Sequence, residues 1–249
     1  MKTETNTLDF ARIKYVWVDL DDTIWDFAGN SYLSLATVYK LHKLDRFFSD
    51  VDTWRDTYRR HNHELWDLYN QGKITREYLQ RERFLRPLLE AGVNPGEADR
   101  MWPVLHTDYL DILGSHSTLI DGARELLGVL REKGYGVGVI SNGFQGIQFK
   151  KLRSSGLDGW FDHVVLSDEI EVNKPDRRLF DYALQKAGTT ATESVIIGDN
   201  PSTDIRGGAL AGWQTIYFNR DNRGPESADA DLTVTDLGSL IELFNKNKG

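Results

Sequence analysis

Residues 13–23 read IKYVWVDLDDT, an apolar run that ends in two carboxylates, Asp19 and Asp21, one residue apart. Side chains at positions i and i+2 of an extended segment point the same way, so both carboxylates are predicted to face one site. Like charges at this spacing repel and prefer water. Such a pair is typical of a divalent-cation site that carries out chemistry. Taken alone, the stretch is equally compatible with a turn that caps a helix.

Short apolar runs alternate with amphipathic segments along most of the chain, which indicates βαβ units and a parallel sheet. The predicted strands are Ile13–Asp19, Gly136–Ser141, His163–Leu166, Ser194–Asp199, Thr215–Asn219 and Leu232–Thr235. The predicted helices of this part are Ala123–Lys133, Gly146–Ser155, Arg178–Ala187, Asp204–Ala211 and Ser239–Asn245. We therefore predict an α/β fold with a doubly wound, Rossmann-like parallel sheet.

Residues 27–118 break this alternation, because they show helical periodicity and no convincing strand. The breaks in the periodicity lie near residues 45–51, 70–74 and 92–96, which leaves about four helices. We predict a four-helix domain, residues 27–118, inserted after the first strand. Residues 1–26 and 119–249 are then predicted to form the α/β catalytic core.

The composition is that of an ordinary globular enzyme. The chain has 249 residues, of which 40% are hydrophobic and none is cysteine, so disulfides, thiolate metal sites and cysteine nucleophiles are excluded. Residues 1–12 are polar, and no run is long enough to span a bilayer. We expect no signal peptide, no membrane partner and a cytoplasmic location. The net charge of −8 disfavours a nucleic-acid polymer as partner. The sequence is compatible with a monomer and with a homodimer.

Charge is distributed unevenly between the two predicted domains. The insert carries 12 basic and 13 acidic residues, whereas the rest of the chain carries 18 basic and 25 acidic residues. An acidic core built around carboxylates repels a phosphate group unless a cation intervenes. The distribution therefore favours a metal-dependent site in the core.

Three later motifs also fall at predicted strand ends, where an open α/β sheet builds its site. The turn Ser141-Asn142-Gly143 offers a hydroxyl and backbone N–H groups to a phosphate, and Gly143 tolerates a positive φ. Lys174 offers a positive charge, while Asp199 and Asp204 offer oxygen ligands to a hard cation. Taken alone, each motif is typical of a turn or helix cap, although that interpretation fits Asp199 poorly. Together they provide the groups that phosphoryl transfer needs.

The order Asp-x-Asp-x-Thr, Ser-Asn-Gly, Lys-Pro and Gly-Asp-x-x-x-x-Asp resembles the haloacid-dehalogenase superfamily over essentially the whole chain. The helical insert resembles the cap domain of that family. The resemblance implies a Mg²⁺-dependent phosphomonoesterase in which Asp19 attacks phosphorus and becomes an aspartyl-phosphate. It also implies that Asp21 protonates the leaving oxygen and then deprotonates the hydrolytic water.

The resemblance further implies how the remaining motif residues divide between phosphate and metal. The phosphate would be bound by Ser141, Asn142 and Lys174. Mg²⁺ would be bound by Asp19, the backbone carbonyl of Asp21 and Asp199, with Asp204 supporting these ligands.

A closer resemblance, to the pyrimidine 5′-nucleotidase branch, rests on five stretches: DLDDTIWDF at 19–27, GKIT at 72–75, RERF at 81–84, SNGF at 141–144 and residues 201–208. Members of that branch hydrolyse nucleoside monophosphates such as UMP, dUMP and dTMP. In the resembled family the loop between the second and third cap helices reaches toward the active site. Here that loop offers Gln71, Lys73 and Thr75 as candidate specificity residues, although an ordinary turn explains them nearly as well.

Several alternatives remain at the level of the sequence. A sugar-phosphate or phosphoglycolate-type phosphatase, or a phosphomutase, would use the same scaffold. A dehalogenase is disfavoured because it needs no second carboxylate and Asp21 is present. A phospho-relay receiver is disfavoured by the large insert. A non-catalytic phosphate-binding protein is disfavoured because none of the motif residues is lost.

Overall fold

The computed structural model of the protein describes residues 8–247, and residues 1–7 and 248–249 lie outside the described residues. The expectation of no signal peptide therefore rests mostly on residues that the structure does not describe. The described chain divides into two compact units. Residues 27–117 form a helical unit, and the remainder of the described chain forms an α/β unit.

The α/β unit contains six parallel strands in the order β3-β2-β1-β4-β5-β6. Their bounds are β1 Tyr15–Val18, β2 Gly136–Ser141, β3 His163–Leu166, β4 Ser194–Gly198, β5 Gln214–Phe218 and β6 Leu232–Val234. Strand β1 lies in the middle of the sheet, between β2 and β4. Strands β2 and β3 lie on one side of it, and β4, β5 and β6 lie on the other. The predicted doubly wound parallel sheet is confirmed.

Five helices accompany the sheet: α5 Ala123–Glu132, α6 Gln145–Ser154, α7 Arg177–Ala187, α8 Arg206–Ala211 and α9 Leu237–Asn247. All four residues of β1 are buried, as is expected for a strand covered on both faces. Tyr15 and Trp17 share one face with Phe180 of α7 and Trp213 in a common hydrophobic cluster. Val16 and Val18 point to the opposite face by strand alternation. The strand is therefore buried on both faces up to Val18, and Asp19 follows it directly.

The helical unit contains four helices, α1 Phe27–Leu41, α2 Val51–Asn70, α3 Arg76–Glu90 and α4 Pro95–Ser115. Asp50, Thr75 and Asn94 each precede a helix, and each accepts a hydrogen bond from a backbone N–H of its first turn. The interior is aromatic, with Trp54, Tyr58, Phe84 and Tyr109 almost entirely buried. Burial of these large rings, rather than helix propensity, stabilises the four-helix unit.

Sequence patterns predicted the elements of the α/β unit to within two residues at each end. One difference lies after β4, where Pro201–Ile205 forms a π-helical turn before α8 begins at Arg206. In residues 8–247 no helix combines the length and apolar character that a bilayer span requires. The cytoplasmic location stays a prediction.

Candidate active site

The nucleophile candidate Asp19 directly follows the central strand β1. Its backbone N–H donates to the carbonyl of Ile197 on β4 at 2.9 Å, so the pairing of β1 with β4 fixes its backbone. The residue is 7% exposed. A charged side chain with so little exposure requires compensating groups nearby.

Lys174 supplies the nearest compensating charge. Its ammonium donates to Asp19 Oδ1 at 2.6 Å, to Asp204 Oδ1 at 2.6 Å and to the carbonyl oxygen of Ile140 at 2.8 Å. These three acceptors match the three donors of an ammonium group. The side chain is 2% exposed. Burial alone would lower the pKa of Lys174, but Asp19 and Asp204 raise it above its ordinary value, so the lysine is charged.

Two carboxylates contact this ammonium, and a third lies beside them. Asp19, Asp199 and Asp204 each place an oxygen within 4.8 Å of the others. The Asp204 carboxylate accepts from the backbone N–H of Asn200 at 3.1 Å. A Cβ on Gly198 would overlap the Asp204 carboxylate, so only glycine admits Asp204 at this position. In the motif Gly-Asp-x-x-x-x-Asp, the glycine leaves room for the Asp204 side chain, and the two aspartates supply carboxylates to the cluster.

The charges in this cluster do not balance, since one ammonium faces three carboxylates. Burial raises the pKa of Asp19 to about 7, against the lowering effect of Lys174, and the charges of Asp204 and Asp21 raise it further. Burial, followed by the charges of Asp19 and Asp204, raises the pKa of Asp199 well above its ordinary value. Both shifts have the sign expected of a site that lacks positive charge. Three oxygen ligands with unbalanced negative charge fit a hard divalent cation.

Ser141, the last residue of β2, is 2% exposed. Its Oγ accepts from the backbone N–H of Gly143 at 3.1 Å and from Gln148 Nε2 at 2.8 Å. A hydroxyl that accepts two hydrogen bonds still has one proton to donate. The local bonds therefore orient Ser141 as a donor, which is what binding a phosphate oxygen requires.

Gly143 and Asn142 make local contacts that the sequence motif did not predict. Gly143 does not adopt a positive φ; instead, a Cβ there would overlap the side chain of Gln148. The Asn142 side chain donates to the Lys174 carbonyl at 3.0 Å and accepts from the Lys174 N–H at 2.7 Å. Both ends of its amide thus join two loops. These two bonds position the Lys174 backbone, and the phosphate-binding role of Asn142 stays a prediction.

Asp21 has partners that sequence reasoning missed. Lys151 Nζ lies 2.6 Å from Asp21 Oδ1 and 2.9 Å from Oδ2, and Gln148 Nε2 donates to Oδ2 at 3.0 Å. Both residues lie on α6, three positions apart and so on one helix face. That spacing, directly after the Ser141-Asn142-Gly143 turn, is the signal that could have identified them.

The predicted specificity loop belongs to the helical unit. Gln71 and Lys73 are exposed in the turn between α2 and α3. The Thr75 hydroxyl accepts from the backbone N–H of Tyr78 at 3.2 Å and caps α3. Thr75 thus has a structural role as a helix cap, and a role of Gln71, Lys73 and Thr75 in specificity stays a prediction.

Comparison with known proteins gives a match over residues 13–212 to the family model of the haloacid dehalogenase-like hydrolases. The chain belongs to this family. The match spans β1 to the helix α8 and includes every motif residue of the α/β unit. The resemblance inferred from the sequence motifs is confirmed, as is the predicted enzyme class, a phosphoric monoester hydrolase.

Similar proteins cover nearly the whole chain. A pyrimidine 5′-nucleotidase of Escherichia coli, YjjG, is 31% identical over 94% of this chain and 100% of its own length. A pyrimidine 5′-nucleotidase of Streptococcus pneumoniae, PynA, is 28% identical over 94% of this chain and 96% of its own length. The crystal structure of the HAD-hydrolase YfnB of Bacillus subtilis, which was solved bound to magnesium, matches with a TM-score of 0.82 and 29% identity. That alignment covers 94% of this chain and 99% of YfnB.

Proposed function

We propose that this phosphatase hydrolyses pyrimidine nucleoside 5′-monophosphates through a Mg²⁺-dependent reaction with an aspartyl-phosphate intermediate on Asp19. The observation that carries the proposal is the cluster at the end of the central strand. It combines Asp19, the Lys174 ammonium at 2.6 Å and two further carboxylates within 4.8 Å. A carboxylate nucleophile, a cation and hard-metal ligands are the requirements of phosphoryl transfer to an aspartate.

In the proposed first step, a carboxylate oxygen of Asp19 attacks phosphorus and the bond from phosphorus to the ester oxygen breaks. Lys174 holds Asp19 in place through the 2.6 Å contact and offsets negative charge on the phosphoryl oxygens. Ser141 donates its free proton to one of those oxygens. Asp21 protonates the departing oxygen, which completes the proton balance of this step.

In the second step, Asp21 removes a proton from water, and the resulting hydroxide attacks the phosphorus of the aspartyl-phosphate. The bond between Asp19 and phosphorus breaks, which releases inorganic phosphate and restores the carboxylate. The same group thus acts first as an acid and then as a base.

The Mg²⁺ ion would be held by Asp19 and Asp199, with the backbone carbonyl of Asp21 completing the protein ligands and Asp204 supporting them. Burial is the largest cause of the raised pKa values of Asp19 and Asp199, and the charges of neighbouring carboxylates raise them further. A bound cation would offset that negative charge, which supports this assignment. When bound, such an ion stabilises the negative charge that develops on the transferring phosphoryl group.

The choice of a pyrimidine nucleotide is supported by two relatives that carry the name pyrimidine 5′-nucleotidase and align with 94% of this chain. These alignments include the residues of the helical unit, where specificity is expected to reside. Other similar proteins are named as phosphatases of small phosphate esters, among them a phosphoserine phosphatase of Thermus thermophilus and a glyceraldehyde 3-phosphate phosphatase of Pyrococcus furiosus. Sugar phosphates are the competing substrates that the experiment must exclude.

A substrate panel tests this proposal. It compares UMP, dUMP and dTMP with hexose phosphates and phosphoglycolate by kcat/KM, with an aryl phosphate as a substrate that needs no specific recognition. We expect the pyrimidine monophosphates to be the best substrates. Replacing Gln71 and Lys73 with alanine should lower the preference for nucleotides and leave aryl phosphate hydrolysis largely intact. A clear advantage of hexose phosphates or phosphoglycolate would overturn the nucleotide assignment and leave the phosphatase assignment standing.

A further inference from the structure

Asp21 is held by two side chains of α6. Lys151 contacts both carboxylate oxygens, at 2.6 and 2.9 Å, and Gln148 Nε2 donates to one of them at 3.0 Å. Lys151 is 3% exposed and Gln148 is fully buried. The carboxylate is thereby fixed by three hydrogen bonds from one helix face.

Lys151 contacts an aromatic ring as well as Asp21. Its ammonium also lies 4.8 Å from the centroid of the Trp25 ring, a distance suited to a cation–π contact. Trp25 itself is fully buried and bridges to Asp21 through the backbone. A buried lysine clamped between an aromatic ring and a carboxylate has little rotational freedom, and its carboxylate partner has equally little.

Gln148 connects Asp21 with a second site residue. The same Nε2 group that donates to Asp21 lies 2.8 Å from Ser141 Oγ. Because Gly143 has no side chain, Gln148 reaches this position without steric overlap. One amide group thus sets the distance between the acid/base carboxylate and the hydroxyl that donates to phosphate.

We propose that Lys151 and Gln148 are positioning residues, which hold the Asp21 carboxylate in the orientation required for proton transfer to and from the ester and the water. This inference rests on the proposed phosphatase mechanism and deepens it. Neither residue touches the reacting atoms in this proposal; both act through Asp21. A misplaced acid/base group costs rate even where substrate binding is unchanged, because proton transfer demands a short and directed approach.

The test is a double-mutant cycle in kcat on a nucleoside monophosphate. General acid–base catalysis contributes about 10²–10⁴-fold, so Lys151→Met is expected to lower kcat by about 10–100-fold with KM within about threefold of wild type. In the Asp21→Asn background, Lys151→Met should cause no further loss beyond about threefold, because residues that act as one unit are not additive. Arg153→Met, an exposed change on the same helix, serves as the matched control and should retain wild-type kcat.

Gln148→Met provides a second test in case Lys151→Met fails to fold. It keeps the volume of the side chain and leaves no buried charge unpaired. It should lower kcat in the wild-type background and have no further effect in the Asp21→Asn background. Thermal unfolding of each variant verifies the fold. The inference is overturned if both single variants retain kcat within threefold of wild type, or if their losses multiply with that of Asp21→Asn. If wild type and Asp19→Asn are equally inactive on all phosphate esters, the proposed function itself fails.

Discussion

The ammonium of Lys174 lies 2.6 Å from Asp19 Oδ1, although 155 residues separate the two in sequence. The same ammonium lies 2.6 Å from Asp204 Oδ1. The ammonium thus connects three parts of the chain: the end of strand β1, the loop before α7 and the turn after β4. Lys174 therefore joins the proposed nucleophile to a metal-ligand candidate, and we expect its removal to affect both stability and reactivity.

Replacing Asp19 with asparagine is expected to abolish turnover, because the side chain keeps its shape but loses its charge and its nucleophilic oxygen. Removal of a catalytic nucleophile costs several orders of magnitude, so we expect a loss of about 10⁴-fold or more in kcat. Steady-state hydrolysis of UMP measures the loss, and circular dichroism verifies the fold. Activity within tenfold of wild type would contradict the role of Asp19.

Replacing Lys174 with methionine should destabilise the α/β unit, because it leaves Asp19 and Asp204 buried without their counter-charge. Removal of one partner of a buried ion pair costs about 3–5 kcal/mol. Urea denaturation in the presence of a chelator measures the free energy of unfolding. The control is Lys186→Met, which removes a surface pair with Glu169 and should cost no more than about 1 kcal/mol. Equal costs for the two variants would show that Lys174 is not required to offset the carboxylates.

Chelation of divalent cations should inactivate the enzyme, and Mg²⁺ should restore it. Ca²⁺ should restore it poorly, because its longer and more variable coordination misplaces the nucleophile. Calorimetric titration with Mg²⁺ gives a readout that does not depend on turnover, and Asp199→Asn should weaken the measured affinity. Full activity after exhaustive chelation would contradict the proposed dependence on a divalent cation.

The helical unit should lose stability as the pH falls below about 6.5, the ordinary value for histidine. Burial, followed by the charges of Arg83 and Arg76, lowers the pKa of His106 to about 4. His106 Nδ1 lies 3.0 Å from the Arg83 guanidinium and accepts from it when the ring is neutral. Between the two pKa values the unfolded chain binds a proton that the folded chain does not. Stability from this group is therefore present above pH 6.5 and lost on acidification.

His106→Gln should accordingly flatten the pH dependence of unfolding. Because the ring is partly exposed, we expect the difference between pH 7 and pH 4.5 to shrink by only about 1–2 kcal/mol. His63→Gln is the matched control, since the His63 side chain is 81% exposed, and it should leave the dependence unchanged. If the free energy of unfolding depends on pH in the same way in wild type and His106→Gln, then His106 is not the group responsible.

The sequence predicts the α/β unit well because each buried parallel strand is a short run of apolar residues. Candidate site residues follow directly after several of these runs. Strand β2, for example, has the bounds that its sequence predicts. Contacts between side chains from distant segments are not visible in such patterns. Lys151 and Gln148 lie on a helix that the sequence predicts, but their contacts with Asp21 depend on how α6 packs. Asn142 illustrates the same limit, because its two bonds to the Lys174 backbone arise only once two loops have come together.

The central place of β1 has a consequence for the order in which the molecule acquires its structure during synthesis. Tyr15 on β1 pairs in register with Gly136 on β2 and with Ser194 on β4, so the pairing of β1 is complete only once β4 has been synthesised. The four helices of residues 27–117, by contrast, contact one another within one continuous segment. Local contacts close at a lower entropic cost than distant ones. The helical unit can therefore begin to fold while Asp19 is still hydrated, and the Asp19 carboxylate becomes buried only after β4 has emerged.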